Sequence, residues 1–329
     1  MNPKAKTGVT VLVSILLAVA LIWWAMRGLD LEKTRASLQE ANYLWIAISV
    51  ILGIAAYYLR SERWRLLLDA MDHPTKSSHA FYAICMNYFW NLLIPRSGEI
   101  ARCTTLYTLN KTPVEKSFGT VISERVIDLI CLVIIALLAV LFNFNLILQL
   151  FGKVMSVRSE QEEGNYFFVV IIGALLIFLA GCILFWKKLK NLSFFPRIKQ
   201  FLYGIRQGLI SIFRLKKSGL FIFYTFLIWV FYFFMTYVII FALPETAHLT
   251  LSEGLYLLLV GSIGMVIPAS GGIGAFHSAM RLGFEVLGLG GDVGVNFAFL
   301  VHTPHALIAL VLGLICLSFI YSEKRKKRK

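Results

Sequence analysis

Asn91-Leu-Leu-Ile-Pro-Arg-Ser-Gly-Glu-Ile-Ala-Arg102 follows an apolar run, yet it carries a proline, a glycine and three charges. Ile267-Pro-Ala-Ser-Gly-Gly-Ile-Gly274 repeats the pattern of Ile94-Pro-Arg-Ser-Gly-Glu-Ile-Ala101 much later in the chain. Proline and glycine interrupt helices, so each copy reads as a break inside a membrane-embedded segment. These two breaks are predicted to be the functional centre, with the rest of the chain holding them in place.

Hydrophobic residues make up 58% of the 329, and the mean hydropathy is +0.75. A soluble domain cannot hide that much apolar surface, so the chain reads as a polytopic membrane protein. The net charge of +14 sits in loops and at the C-terminus. That placement suits contact with an anionic inner leaflet and argues against nucleic acid as a partner. Cys85, Cys103, Cys131, Cys182 and Cys316 are scattered without a CxxC pair, which suits apolar fillers better than ligands or disulfides. No metal or cofactor is expected. The run Gly8 to Met26 ends in Trp23-Trp24 with no small-residue cleavage site, so it reads as a retained first helix.

Apolar runs fall at 8–26, 43–59, 80–94, 121–142, 166–186, 220–243, 253–267, 273–288 and 294–320. Those at 80–94, 253–267 and 273–288 fall short of the roughly 20 residues a span needs, and they flank the two breaks. Short broken segments predict re-entrant hairpins. Residues 187–219 are basic with no Asp or Glu, and 324–329 are all basic, so both are predicted to be cytoplasmic. Residues 244–253 hold no Lys or Arg and are predicted to lie outside. Every strong charge signal is met by an all-α polytopic membrane protein of about six spanning helices plus two re-entrant helical hairpins, one entering from each side.

This reads as an inverted-topology repeat, with halves expected at about 1–164 and 165–329 of one integral membrane domain. Pro95 and Pro268 lie 173 residues apart, as do Ser123 and Asn296, where the following helices are predicted to start. Residues 187–219 read as a basic amphipathic segment on the inner leaflet, and 322–329 as a basic tail. Tyr57, Tyr58, Arg60, Arg63, Trp64 and Arg65 read as an interfacial anchoring collar. The location expected is the bacterial cytoplasmic membrane, with both termini inside.

Arg96, Glu99 and Arg102 are three apart and would share a helix face. Pro95 and Ser97 mark the start of that half-helix, as a first-turn proline and a capping hydroxyl. Unpaired N–H groups beside two arginines could hold a phosphate, with Glu99 balancing the charge. The same trio could equally be an ion-pair clip that fixes the hairpin. Glu124, Arg125 and Asp128 fall in the first turns of the next helix and are expected to meet the arginines of the first hairpin, or else to snorkel. Gly271, Gly272 and Gly274 lack a phosphate-loop ending, and serve close backbone approach to a ligand or tight helix packing. His277 and His302 mark a polar site in the second half. Neither belongs to an HExxH motif, so hydrogen bonding fits them better than metal binding.

Together these residues resemble the flippase-like transmembrane domain of bacterial lysylphosphatidylglycerol synthases. The resemblance rests on Arg63-Trp64; on Asn91, Pro95, Gly98, Glu99 and Arg102, with a tighter Pro-to-Gly spacing; on Glu124, Arg125 and Asp128; and on Pro268, Gly271, Gly272 and Gly274. It spans nearly the whole chain. His277 stands where that family often has Glu, and the neighbourhood of His302 lacks an Arg often found in the last helix. The soluble aminoacyl-transferase domain is expected to be absent, so the resemblance implies lipid translocation and not lipid synthesis.

The leading expectation is a transporter, not an enzyme, that moves an anionic or phosphate-bearing membrane lipid between leaflets. Asn91, Arg96, Glu99, Arg102, Glu124, Arg125 and Asp128 would form the substrate site. Pro95, Gly98, Pro268, Gly271, Gly272 and Gly274 would shape the gates. The alternatives are a membrane-embedded transferase acting on a polyprenyl or phospholipid phosphate, for which no donor motif is found, and a non-catalytic partner of a membrane enzyme.

Overall fold

The break at residue 95 is forced by its neighbours. Ile94 is extended (φ −132°, ψ 118°), as the residue before a proline must be. Arg96 then turns into the left-handed region at φ 59°. The backbone groups freed by the break find partners within the turn. Ser97 Oγ donates to Trp90 O at 3.0 Å and to Ile94 O at 2.8 Å. Asn91 Oδ1 accepts from Gly98 N at 2.8 Å. Non-helical backbone survives at membrane depth only when it is answered in this way. The capping role expected of Ser97 therefore passes to Asn91: Ser97 closes the helix before the break, and Asn91 reaches across to cap the helix after it. Gly98 has no substitute here, because a Cβ would collide with Asn87 O and the Asn91 amide.

The computed structural model describes Leu16 and residues 31–159 and 215–326. Among them run α1 (Leu31–Glu40), α2 (Tyr43–Asp69), α3 (Ser77–Leu93), α4 (Gly98–Asn110), α5 (Val114–Phe142), α6 (Phe144–Ser159), α7 (Ser218–Tyr237), α8 (Leu251–Gly264), α9 (Ala275–Val286) and α10 (Gly291–Lys326), with no strand. Short 3-10 turns extend α7 over Val238–Ala242 and mark the second break at Ser270–Gly272. The expected helices at 8–26 and 166–186, the amphipathic segment up to residue 214, the junction of the halves at 164–165 and the end of the basic tail lie outside the described residues.

The segments α2, α5, α7 with its 3-10 extension, and most of α10 are long and apolar enough to cross a membrane. At 17, 13, 14 and 12 residues, α3, α4, α8 and α9 are too short, since a crossing takes about 20 residues at 1.5 Å each. They form two hairpins, and side-chain ties fix where each begins and ends. At the end of α4, Asn110 Nδ2 donates to Pro74 O and Thr75 Oγ1, both at 3.2 Å. The first hairpin therefore returns to the end of the molecule it left. Asn143, just past the far end of α5, donates from Nδ2 to Ser252 O at 2.8 Å, so α8 begins at that far end. Lys153 of α6 pairs with Glu285 of α9 at 2.8 Å, so α9 ends there too. The two hairpins thus enter from opposite ends of α5.

Other ties agree. Asn42 N donates to Ala242 O at 2.8 Å, joining the start of α2 to the end of α7. His79 near the start of α3 meets Glu323 near the end of α10 at 2.8 Å. Between the hairpins the tips touch: Arg96 Nη2 donates to Val266 O at 3.3 Å, and a Cβ on Gly271 would lie 2.7 Å from Leu92 Cδ2. Tyr43, Ser77, Gly98 and Val114 open helices whose counterparts open at Ser218, Leu251, Ala275 and Gly291, offsets of 174 to 177 residues. Crossing helix, hairpin and crossing helix therefore occur twice with opposite entry.

Two further expectations need correction. The helices after the hairpins start at Val114 and Gly291, not near Ser123 and Asn296, because α5 begins ahead of its apolar stretch, with polar residues such as Glu115 and Lys116 in its first turns. Glu124 consequently lies ten residues inside α5, about 15 Å from its start, and not in its first turns. Second, α2 continues to Asp69. Its Tyr57, Arg60, Arg63 and Trp64 are buried inside the bundle instead of forming an interfacial collar, while Tyr58 faces outward.

Single cysteines at Lys111 and Lys216 should be labelled by an impermeant maleimide from one side of sealed membrane vesicles, and those at Glu245 and Asp292 from the other. Labelling of Lys111 and Glu245 from the same compartment would remove the opposed entry.

Candidate functional site

On α2, Arg60, Arg63 and Trp64 share a face through spacings of three and four. Thr120, Glu124 and Asp128 form the matching stripe on α5. Trp64 Nε1 donates to Thr120 Oγ1 at 2.8 Å. Arg63, fully buried, donates to Glu124 Oε1 at 3.2 Å, to Asp128 Oδ1 at 2.8 Å and to Thr225 Oγ1 at 3.4 Å. Arg102, from the first hairpin, gives its Nη2 to the other oxygen of Glu124. Its guanidinium lies 4.3 Å above the Trp64 ring. One carboxylate thereby ties together two crossing helices and a hairpin.

Beside this cluster is a cavity of about 640 Å³ whose wall includes Arg60, Arg96, Glu99, Arg125 and Asp128. His302, His305 and the Gly271-Gly272 turn also line it. Arg125 pairs with Glu99 at 3.1 Å and more loosely with Asp128 at 3.7 Å. The lining residues Leu129, Met265 and Ile267 are also exposed on the outer surface. The mouth between α5 and the second break therefore opens on an apolar face.

Arg60 is the unusual member. It is only 5% exposed, yet it makes no ion pair among the described residues. Nη1 donates to the hydroxyls of Tyr88 and, at 3.4 Å, Tyr232. Tyr57 stacks flat on Tyr88 with ring centroids 3.9 Å apart. Nη2 of Arg60 is buried and has no partner, and neither has Nε1 of Trp229, which also lines the cavity. Both orphaned atoms are donors.

The structure divides the residues singled out by sequence. Asn91, Pro95, Arg96, Glu99, Arg125, Asp128, Pro268, Gly271, Gly272 and His302 line the cavity. Arg102 and Glu124 stand behind its wall, fully buried against each other, so their placement is that of the clip and not of a ligand-facing pair. Arg96, Glu99 and Arg102 do not share a helix face, because α4 begins only at Gly98. Asn91 spends its carbonyl on the hairpin turn. Gly98, Gly274 and His277 are not on the wall. Gly271, Gly272 and Gly274 all have positive φ, at 60°, 77° and 82°, which explains the glycine run as turn geometry.

In the second half, His302 Nε2 donates to Gly271 O at 2.7 Å and so braces the second break. His305 Nε2 lies 3.0 Å from Ser49 Oγ. His277 is buried with no partner at either ring nitrogen, against Phe299 with centroids 4.6 Å apart. The 177-residue offset between Val114 and Gly291 puts His302 and His305 at the places matching Arg125 and Asp128. Sequence reasoning missed Arg60, Arg63, Tyr88, Trp229 and Tyr232 as members of the site. The signal available was the Arg60–Arg63–Trp64 spacing, which puts three polar or amphipathic residues on one face of α2.

Residues 11–313 match the family model described as the lysylphosphatidylglycerol synthase TM region. Two curated relatives are the UPF0104 membrane protein MJ1595 of Methanocaldococcus jannaschii, 26% identical over 37% of this chain, and the UPF0104 membrane protein PH1989 of Pyrococcus horikoshii, 21% identical over 43%. The aligned stretches cover 36% and 42% of those relatives, so the chain spans well under half the length of either. No solved structure matches.

Replacing Glu124 by Ala leaves two buried guanidinium groups with one shared partner less. Unfolding in detergent should show a loss of about 3–5 kcal/mol, the range for breaking a buried ion pair. Thr120→Val removes the hydrogen bond from Trp64 Nε1 and the one that Thr120 Oγ1 donates to Ser117 O at 2.6 Å, and by leaving the buried indole N–H unpaired it should cost about 1–3 kcal/mol.

Proposed function

Because this chain belongs to the family of lysylphosphatidylglycerol synthase transmembrane regions, we propose that it moves an anionic, phosphate-bearing lipid between the leaflets of its membrane. The observation that carries this reading is Arg60, a buried arginine on the cavity wall with no carboxylate partner and one orphaned nitrogen. Leaving a guanidinium unanswered at membrane depth is costly. Arg60 lies nine residues inside the end of α2, about 14 Å along the helix, and it is buried within the bundle. Phosphate oxygens accept hydrogen bonds and carry charge, which suits the orphaned donors of Arg60 and Trp229.

The headgroup would meet Arg60, Arg96 and Arg125, with Glu99 and Asp128 keeping Arg125 in place. Its acyl chains would leave through the apolar mouth beside Leu129 and Ile267. Hairpins entering from opposite ends, with tips that touch at the cavity, supply two gates for a site reached alternately from each leaflet. The end of the molecule bearing Lys111, Lys116, Lys216 and Lys217 would face the cytoplasm, where basic loops accumulate, and α10 would end on that side.

In liposomes containing the purified chain, a fluorescent anionic phospholipid should cross between leaflets at a rate set by Arg60. Arg60→Gln should slow it about tenfold or more, the loss expected of one charge-assisted hydrogen bond. An unaltered rate in a folded Arg60→Gln protein would count decisively against this site.

A further inference from the structure

The charges around the cavity can be balanced residue by residue. On the wall stand Arg60, Arg96 and Arg125 against Glu99 and Asp128. Directly behind are Arg63 and Arg102 against Glu124. Every carboxylate is already engaged. Glu124 gives one oxygen to Arg63 and the other to Arg102. Asp128 serves Arg63 through one oxygen and Arg125, more distantly, through the other. Glu99 holds Arg125. Two cations are left over among the described residues: Arg60 on α2, and Arg96 at the tip of the first hairpin, which has only the Val266 carbonyl.

Resting on the phosphate-lipid reading above, we infer that the site is built for a lipid whose headgroup carries two negative charges, a phosphomonoester or a diphosphate, in preference to a phosphodiester. A phosphodiester brings one charge for two guanidinium groups, the exposed Arg96 and the buried Arg60, and an unbalanced Arg60 is the costly one in a low-dielectric site. A phosphomonoester is close to dianionic above its second ionisation near pH 6 and presents three acceptor oxygens. That matches both the excess charge and the orphaned donors Arg60 Nη2 and Trp229 Nε1. The two surplus arginines come from different elements, one on a crossing helix and one at the turn of the first hairpin, and both line the cavity, so a dianion there would balance both charges where a monoanion balances one.

The test uses the full chain in neutral detergent micelles. Phosphatidic acid and phosphatidylglycerol with the same acyl chains are titrated separately, and retention is read by native mass spectrometry. At about pH 8 phosphatidic acid should bind about tenfold more tightly, one charge-assisted interaction's worth, and at about pH 5, where its second charge is lost, the preference should fall towards parity. Arg96→Gln, at an exposed turn, and Arg60→Gln should each shrink the preference at the higher pH. The first of these keeps the test open if the second fails to fold. Equal binding of the two lipids at about pH 8 overturns the dianion inference while leaving the transport reading standing. Binding of neither, or binding of both that ignores Arg60→Gln, overturns the transport reading itself. A polyprenyl monophosphate run in parallel tells which lipid chain carries the phosphate, since tight binding of either monophosphate supports the inference. Displacement of phosphatidic acid by inorganic phosphate at equal concentration would assign the second charge to a soluble ligand and overturn it.

Discussion

Glu124 is the residue on which the rest depends. It sits inside a membrane bundle and is answered on both oxygens by arginines from different parts of the chain, Arg63 on α2 and Arg102 on the first hairpin. Desolvating three charges costs several kcal/mol for each ion, and attraction offsets this only when geometry is good and every lone pair is used. The cluster meets that condition in part: it draws in Asp128, Thr225 and the Trp64 face, while Nε of Arg63 and Nε and Nη1 of Arg102 are buried without a partner. The arrangement specifies where the hairpin lies relative to α2 and α5 more than it adds stability. A hairpin of two short helices has little apolar length to anchor it, and a buried ionic latch supplies the register that hydrophobic contact with lipid cannot.

The two breaks obey a second constraint, that backbone polar groups in hydrocarbon must be paired. The first half meets it with side chains: Ser97 and Asn91 close the helix ends on either side of Pro95. The second half meets it with glycine geometry and one histidine, His302, on the Gly271 carbonyl. Related architecture is thus stabilised by different chemistry in each half. The cavity lies where the two solutions come together, which is why its wall combines arginines and carboxylates with glycines and histidines.

Much of this was legible in the sequence. Repetition of Ile-Pro-x-Ser-Gly, shortness of the flanking runs and the placement of lysines led to hairpins of opposite entry, because proline, helix length and charge each act locally. Glu99, Arg125 and Asp128 could be placed near one another for the same reason: ionisable residues in apolar helices must find partners. Arg102 and Arg96 were harder to separate. Only the three-dimensional turn, with Arg96 left-handed ahead of the helix and Arg102 a turn inside it, sends one to the cavity and the other behind it. Arg60 was misread as an interfacial anchor because helix ends cannot be located from hydropathy alone. The apolar run stops near residue 59, whereas the helix continues for ten residues more through its charged face.

Correspondence between the halves is close in backbone and loose in chemistry. Where one half presents Arg125 and Asp128, the other presents His302 and His305. Conformations exchanged by the pseudo-two-fold of an inverted repeat are isoenergetic only if the exchanged residues are alike, and these are not. On the transport reading proposed above, the vacant molecule facing one leaflet and the same molecule facing the other would sit at different heights on the energy scale, so a preferred resting orientation would be intrinsic to the chain before any gradient or ligand acts on it.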